Sequence, residues 1–172
     1  NLFAGAGSAG VGYLWGDACW KPQLWFTYDY ASGDANPGQG NSFNTFQQMF
    51  PFGHYYFGYL DIVGRQNIHD FHTQFVMYPT PWITFLSQFH HFQLDSARSP
   101  LFGAAGAPIR QDPTGAAGKD VGNEIDFLVN FHLGAHQDVL VGYSKLFAGG
   151  FIEKTGNPGS PELFYLQHQY RW

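Results

Sequence analysis

Residues 124–133, "EIDFLVNFHL", decide the fold, because their side chains alternate between two chemical types. One set is apolar: Ile125, Phe127, Val129, Phe131 and Leu133. The other set is mostly polar: Glu124, Asp126, Leu128, Asn130 and His132. Successive side chains of a β-strand point to opposite faces of the sheet. The stretch therefore predicts a strand with one apolar face and one polar face.

Seven strands are predicted, at about 4–15, 22–32, 68–78, 82–95, 123–133, 138–148 and 162–172. Most of them alternate, but 4–15 is built from small residues and neither face of 82–95 is purely apolar. The connections alternate in length: 16–21, 79–81 and 134–137 are short, whereas 33–67, 96–122 and 149–161 are long. Short turns on one side and long loops on the other are typical of an outer-membrane β-barrel. A soluble antiparallel sandwich or barrel also alternates, but rarely sorts its loops by side in this way.

The composition agrees with strands of this kind. Aromatic residues make up 19% of the 172 residues and charged residues only 12%, yet the mean hydropathy is −0.24. No run of about 18 apolar residues is present, which excludes a transmembrane helix, whereas barrel strands need only about 9–11 residues. The net charge of −5 and the lack of any basic patch or nucleic-acid motif exclude nucleic acid as a partner.

The tryptophans favour a membrane protein. Trp15, Trp20, Trp82 and Trp172 fall at the short-turn ends of their strands, and Trp25 lies nearby. Indole rings prefer the membrane–water interface, where the ring is half in lipid and its N–H stays hydrated. We expect these five side chains to form a girdle at the periplasmic interface.

Seven strands of alternating direction cannot close into an antiparallel barrel, because the first and the last would run parallel. Bacterial single-chain barrels have an even number of strands. We therefore expect residues 1–172 to be the C-terminal segment of one larger barrel domain, whose upstream strands are missing or come from a partner chain. The last strand, which ends on Trp172, resembles the signal read by the barrel-assembly machinery.

A more specific signal lies in residues 28–68. A strand ending "YDYASGD" (28–34) leads into a long loop that carries "FPFGH" (50–54) and the GRxN element of residues 64–67. This block resembles the alginate-export family of outer-membrane barrels. The resemblance implies a monomeric barrel of about eighteen strands, with a polar lumen, that passes a solute across the bacterial outer membrane and needs no cofactor.

The best-known members of that family export alginate, a polyanion, through a lumen lined with arginines. This chain departs from them, with eight Lys and Arg against thirteen Asp and Glu. Alternation places these side chains toward the lumen: Asp29, Asp70, His72, Gln74, Glu124, Asp126, Asn130, His132, Gln167, Gln169 and Arg171. An acidic wall repels a polyuronate, so a neutral or cationic solute suits this part better.

We expect the long extracellular loop 33–67 to fold into the pore mouth as a constriction, with a short helix at 43–50 and a pair between Asp61 and Arg65 that pins it. An exposed loop held together by its own aromatic cluster fits equally well. The stretch 34–44, with Asp34, Asn36, Asn41 and Asn44, suggests a Ca²⁺ site, but lacks EF-hand spacing.

Two other functional classes stay open. A scaffold barrel could anchor an envelope complex through its loops, and a barrel-embedded hydrolase would need Ser, His and Asp or Asn at one level. No motif links a serine to one of the eight histidines, and the single cysteine, Cys19, excludes an internal disulfide and a CxxC site. His69 and His72 fall on opposite faces of a strand, which argues against a metal site. We therefore predict neither catalytic residues nor metal ligands.

Overall fold

The computed structural model describes residues 1–39 and 42–172, and its main element is a single sheet of seven antiparallel strands. The elements in chain order are β1 (Ala6–Leu14), β2 (Gln23–Ala31), β3 (Ile68–Thr80), β4 (Ile83–Leu94), β5 (Leu101–Phe102), β6 (Pro108–Arg110), β7 (Asp120–His132), β8 (Gln137–Ala148), α1 (Gly150–Lys154) and β9 (Glu162–Tyr170). The large sheet has the order β1-β2-β3-β4-β7-β8-β9, and β5 pairs with β6 separately.

Each of the seven predicted strands is present, and each pairs with its neighbours in the chain. The all-β antiparallel prediction is therefore confirmed. Within the described residues the sheet is open, with β1 and β9 as its two edges. No helix in the described part of the chain is long and apolar enough to cross a membrane.

The two faces of the sheet differ as the alternation predicts. We call the face that carries Asp70, Gln88 and Asp126 the inner face, and the opposite one the outer face. Residues that pair across neighbouring strands lie on the same face, so the pairing assigns each strand residue to one of the two faces. Large apolar side chains are widely exposed on the outer face: Val11, Phe26, Phe71, Phe89, Phe127, Phe164 and Leu166. An apolar patch that spans the whole sheet is far larger than soluble monomers expose, and indicates contact with another apolar phase.

Aromatic residues gather at the short-turn end of the sheet, where Trp15, Trp20, Trp82 and Trp172 are all exposed. Trp25 is different, and its assignment to this row was wrong. It pairs with Gln74 on the inner face, because residues 23, 25, 27 and 29 of β2 all share the parity of Asp29. Alternation takes precedence over the general tendency of tryptophan to lie at an interface.

The long-loop end carries a hydrophobic core on the inner side of the sheet. It combines strand ends with loop residues: Ala31, Phe57, Val63, Ile68, Phe92, Leu94, Leu101, Ala117, Val121, Leu146, Phe151 and Ile152. The loop 96–122 contributes the β5–β6 hairpin and several of these buried residues, and 149–161 contributes α1. The long connections therefore fold together at one end of the sheet.

The predicted helix at 43–50 is wrong, because these residues contain no helix. Long-range hydrogen bonds hold this stretch in place instead. Phe46 N donates to Ser32 O, and the side chain of Gln48 accepts from Arg65 N and donates to Ala104 O. Gly40 and Asn41 lie outside the described residues, so the Ca²⁺ prediction for 34–44, which includes Asn41, stays a prediction.

Candidate functional site

The eleven side chains predicted to line a lumen share the inner face of the sheet. Strand pairing places Asp29 beside Asp70 on this face. The same face continues through the pair of Gln88 and Asp126 to β8 and β9. Arg171 follows β9 and contacts Asp138 of the same face, with Arg171 Nη2 3.1 Å from Asp138 Oδ2. The strands therefore bring together the residues listed from the sequence, and their role as pore lining stays a prediction.

Residues 42–67, which we call the inner loop, cross this inner face. Near β2 the Arg65 guanidinium pairs with the Asp29 carboxylate. On β4 the ring of Phe57 stacks on Phe92, with 6.4 Å between centroids and 15° between planes. Tyr55 O accepts a 3.3 Å bond from the side-chain amide of Gln88, also on β4.

The inner loop continues to β7 and β9. Leu60 N donates to Glu124 Oε1 at 2.9 Å, and Tyr59 N donates to Asp126 Oδ1 at 3.4 Å. The ring of Tyr59 lies nearly parallel to Tyr165 of β9, 5.9 Å between centroids. The loop thus spans the sheet from β2 to the β9 edge. Its backbone N–H groups find partners in strand carboxylates because residues 53–60 have no strand partners of their own.

The carboxylates beneath the inner loop are buried. Glu124, Asp126 and Asp70 are all inaccessible to solvent. Asp70 Oδ2 lies 2.8 Å from His90 Nδ1, and His90 Nε2 lies 4.0 Å from Asp126 Oδ2. The His90 ring also stacks on His72, with centroids 4.2 Å apart. Asp70, His90, Asp126 and Glu124 thus form a buried polar network, and His72 at its edge also borders the space between the loop and the sheet.

The predicted pair between Asp61 and Arg65 is wrong. Asp61 bonds instead to His54, with Oδ2 2.9 Å from Nδ1 and Oδ1 accepting from His54 N at 2.6 Å. The backbone of Asp61 has a positive φ of 54°, so no helical turn brings a residue four positions away onto its face. Arg65 is held by Asp29 and also lies over the ring of Phe57, 5.2 Å from its centroid.

The aromatic contact between Tyr59 and Tyr165 was not predicted. Tyr165 lies over Gly142 on β8, where an added Cβ would collide with the tyrosine ring. Burial, with smaller contributions from Tyr55 and Asp126, raises the pKa of Tyr59 to about 12. Tyr59 therefore stays a neutral hydroxyl at any physiological pH. The one usable signal was a glycine opposite an aromatic residue in adjacent predicted strands.

A cavity of about 1030 Å³ lies between the inner loop and the inner face of β1–β4. Its strand side includes Gln23, Trp25, Gln74 and Tyr78, and its loop side is mainly aromatic. Alternation indicated the face of Gln74, but the cavity itself was not predicted, because the position of the loop depends on distant contacts. Within the described residues, no group of three or more His, Cys, Asp and Glu is arranged to hold a metal ion.

Comparison with known proteins supports the resemblance found in the sequence. No curated protein matches the chain. A family model described as alginate export matches residues 3–165, which include β1 to β8 and part of β9. Proteins of that family are outer-membrane transport proteins. The match covers far more than half of the 172 residues, and the chain therefore belongs to the alginate-export family.

Proposed function

We propose that this chain forms part of a β-barrel channel in the bacterial outer membrane that passes a polar solute. The observation that carries the proposal is the division of one seven-stranded sheet into two faces. The outer face exposes Phe26, Phe71 and Phe127 along the strands and ends in a row of tryptophans. The inner face carries the polar side chains, as expected of a strand between lipid and an aqueous lumen.

Closure of the barrel is part of this proposal. Because β1 and β9 are parallel edges of an odd-stranded antiparallel sheet, further strands are needed between them, from the same protein or from a partner chain. Open edges within a bilayer would leave backbone N–H and C=O groups unpaired, at a cost of several kcal/mol each. We expect the outer-membrane lipid to contact the outer face, and the barrel-assembly machinery to recognise β9 with Trp172.

The inner loop acts as the constriction in this channel. It crosses the inner face from β2 to β9 and holds Arg65 beside the lumen, with Asp61 on the same loop. Polar side chains of the wall replace part of a solute's hydration shell, and the loop limits the width. The charged residues that line the cavity beside the loop, Asp29 and Arg65, pair with each other, so we propose an uncharged or weakly cationic solute rather than a polyuronate.

Single-channel recording of the intact protein in planar bilayers tests the proposal. We expect discrete conductance steps that grow when the inner loop is released, and little preference for anions in the reversal potential. A bilayer that contains folded protein but shows no steps, with or without the loop docked, would contradict the channel. It would favour the second candidate, a scaffold barrel, for which the hydrophobic core at the long-loop end is the supporting observation.

A further inference from the structure

The cavity between the inner loop and β1–β4 has the size of a ligand site. Its volume of about 1030 Å³ is at the upper end of the range for small-molecule pockets, about 300–1,000 Å³. One wall is strand and the other is loop, so a ligand there would contact both the rigid sheet and the proposed constriction. Such a place beside the lumen is where a channel would hold a solute during passage.

The charges of the cavity cancel. Its charged lining residues are Asp29 and Arg65, which pair with each other. The other inner-face carboxylates, Asp70, Glu124 and Asp126, are buried beneath the inner loop and do not line the cavity. A polyanion finds no free arginine here, and a cation finds no free carboxylate. The site therefore suits an uncharged ligand.

Polar groups of the cavity can both donate and accept. Gln23 Nε2 donates to Tyr78 Oη at 3.3 Å, and Gln74 Oε1 accepts from Gln88 Nε2 at 3.1 Å. Among the described residues these bonds leave Gln23 Oε1 as an acceptor and Gln74 Nε2 as a donor for a ligand. His72 Nε2 is buried and has no partner in the described part of the chain. Mixed donors and acceptors of this kind match hydroxyl groups, which do both.

Aromatic rings cover much of the remaining lining. The indole of Trp25 lies against Gly12 of β1, where an added Cβ would collide with the ring. Trp25 also forms part of the cavity wall. The loop side contributes Phe50, Phe52 and Tyr55. A pyranose ring has an apolar C–H face that packs on an aromatic plane and a rim of hydroxyls for hydrogen bonding. A flat apolar ligand would leave the glutamine side chains without hydrogen-bond partners.

We infer that this cavity is a binding site for a neutral oligosaccharide, with Trp25 as the stacking platform and Gln23 and Gln74 as hydroxyl partners. The inference rests on the proposed function, since it names the solute class of the same channel. Aromatic cages also attract organic cations, but such cages work best with an unpaired carboxylate, which this cavity lacks because Arg65 neutralises Asp29.

Calorimetric titration of the intact protein in detergent tests the inference. The probes are maltohexaose and cellohexaose as neutral oligomers, a mannuronate hexamer as the anionic one, and a glucosamine hexamer as the cationic one. We expect at least one neutral oligomer to bind more tightly than both charged ones. Trp25→Ala should weaken that binding at least tenfold, whereas Trp82→Ala, which removes a ring stacked on Phe131 outside the cavity, should not.

Several outcomes would overturn the inference: binding of no neutral oligomer, tighter binding of a charged one, or an affinity unchanged by Trp25→Ala. Circular dichroism checks that each variant is folded, and Gln74→Leu replaces Trp25→Ala if the latter does not fold. The failure of the channel proposal is distinguishable. Conductance without neutral-saccharide binding would refute only the inference, whereas saccharide binding without conductance would refute only the channel.

Discussion

Replacement of Phe57 by alanine should release the inner loop from the sheet. The Phe57 side chain is only 9% exposed, stacks on Phe92 and lies under the guanidinium of Arg65. Truncation of a buried phenylalanine to alanine typically costs about 3–5 kcal/mol. The seven strands pair without the help of Phe57. The cost should therefore fall on the docking of the loop, and the sheet should stay intact.

The expected size follows from this burial. Because the loop can partly collapse onto the gap, we use the lower figure of about 3 kcal/mol. At 1.4 kcal/mol for each factor of ten, the undocked fraction should rise about 100-fold. Hydrogen exchange of the intact protein in detergent measures this opening. The amides of Tyr59 and Leu60, which donate to Asp126 and Glu124, should exchange about 100-fold faster.

Phe52→Ala is the matched control. Phe52 belongs to the same loop and is 71% exposed, and its ring contact is with Tyr56 of the loop itself. Surface truncations usually change stability by less than about 0.5 kcal/mol, so exchange at Tyr59 and Leu60 should stay near wild type. Equal exchange rates in the Phe57 and Phe52 variants would refute the docking role of Phe57, as would wild-type exchange in Phe57→Ala.

Three further pairs of substitutions test the same docked arrangement. Arg65→Ala leaves Asp29 buried without its partner and should favour the undocked loop by about 2–3 kcal/mol, and Arg65→Lys should do so by less. Equal hydrogen exchange at Tyr59 and Leu60 in the wild type and both variants would contradict a role of this pair in docking. Glu124→Leu removes the acceptor of a 2.9 Å hydrogen bond from Leu60 N and should destabilise the docked loop by about 1–3 kcal/mol. Glu124→Gln keeps an oxygen there and should cost less than about 1 kcal/mol. Hydrogen exchange at Leu60 should therefore be faster in Glu124→Leu than in Glu124→Gln, and the reverse order would exclude this bond as a contributor to docking. Gly142→Val should displace Tyr165, which stacks on Tyr59 of the loop. Hydrogen exchange at 54–59 should then become faster, while the far-ultraviolet circular dichroism spectrum stays unchanged. In the control Gly7→Val, where no atom lies close enough to collide with the added side chain, both the exchange and the spectrum should match the wild type.

The strands could be predicted because one physical rule sets both their position and their register. A slip of one residue would move every apolar side chain of a strand to the wrong face, so the pattern fixes the pairing wherever one face is apolar. The stretch 124–133 was predicted as part of a strand at 123–133; all of it except Leu133 lies in β7, Asp120–His132. The positions of the short turns could be predicted as well, because each turn joins two strands that are neighbours in the sheet.

The loops could not be predicted in the same way, because their contacts are distant in the chain. Arg65 was assigned to Asp61, four residues away, but it pairs with Asp29, 36 residues away. Residues 43–50 have no strong local preference that would resist the tertiary bonds of Phe46 and Gln48. A local rule predicts structure only where local interactions dominate, and in a long loop they do not.

The acidic residues show where a correct assignment of faces still gave an incomplete picture. Alternation places Asp70, Glu124 and Asp126 on the inner face, and the structure agrees. A two-residue period reports the direction of a side chain, however, and is silent about what covers it. Here the inner loop covers these carboxylates and uses two of them as hydrogen-bond acceptors. The oxygens of Glu124 and Asp126 therefore serve first to dock the loop, and the polar surface left beside the loop is that of the cavity around Trp25.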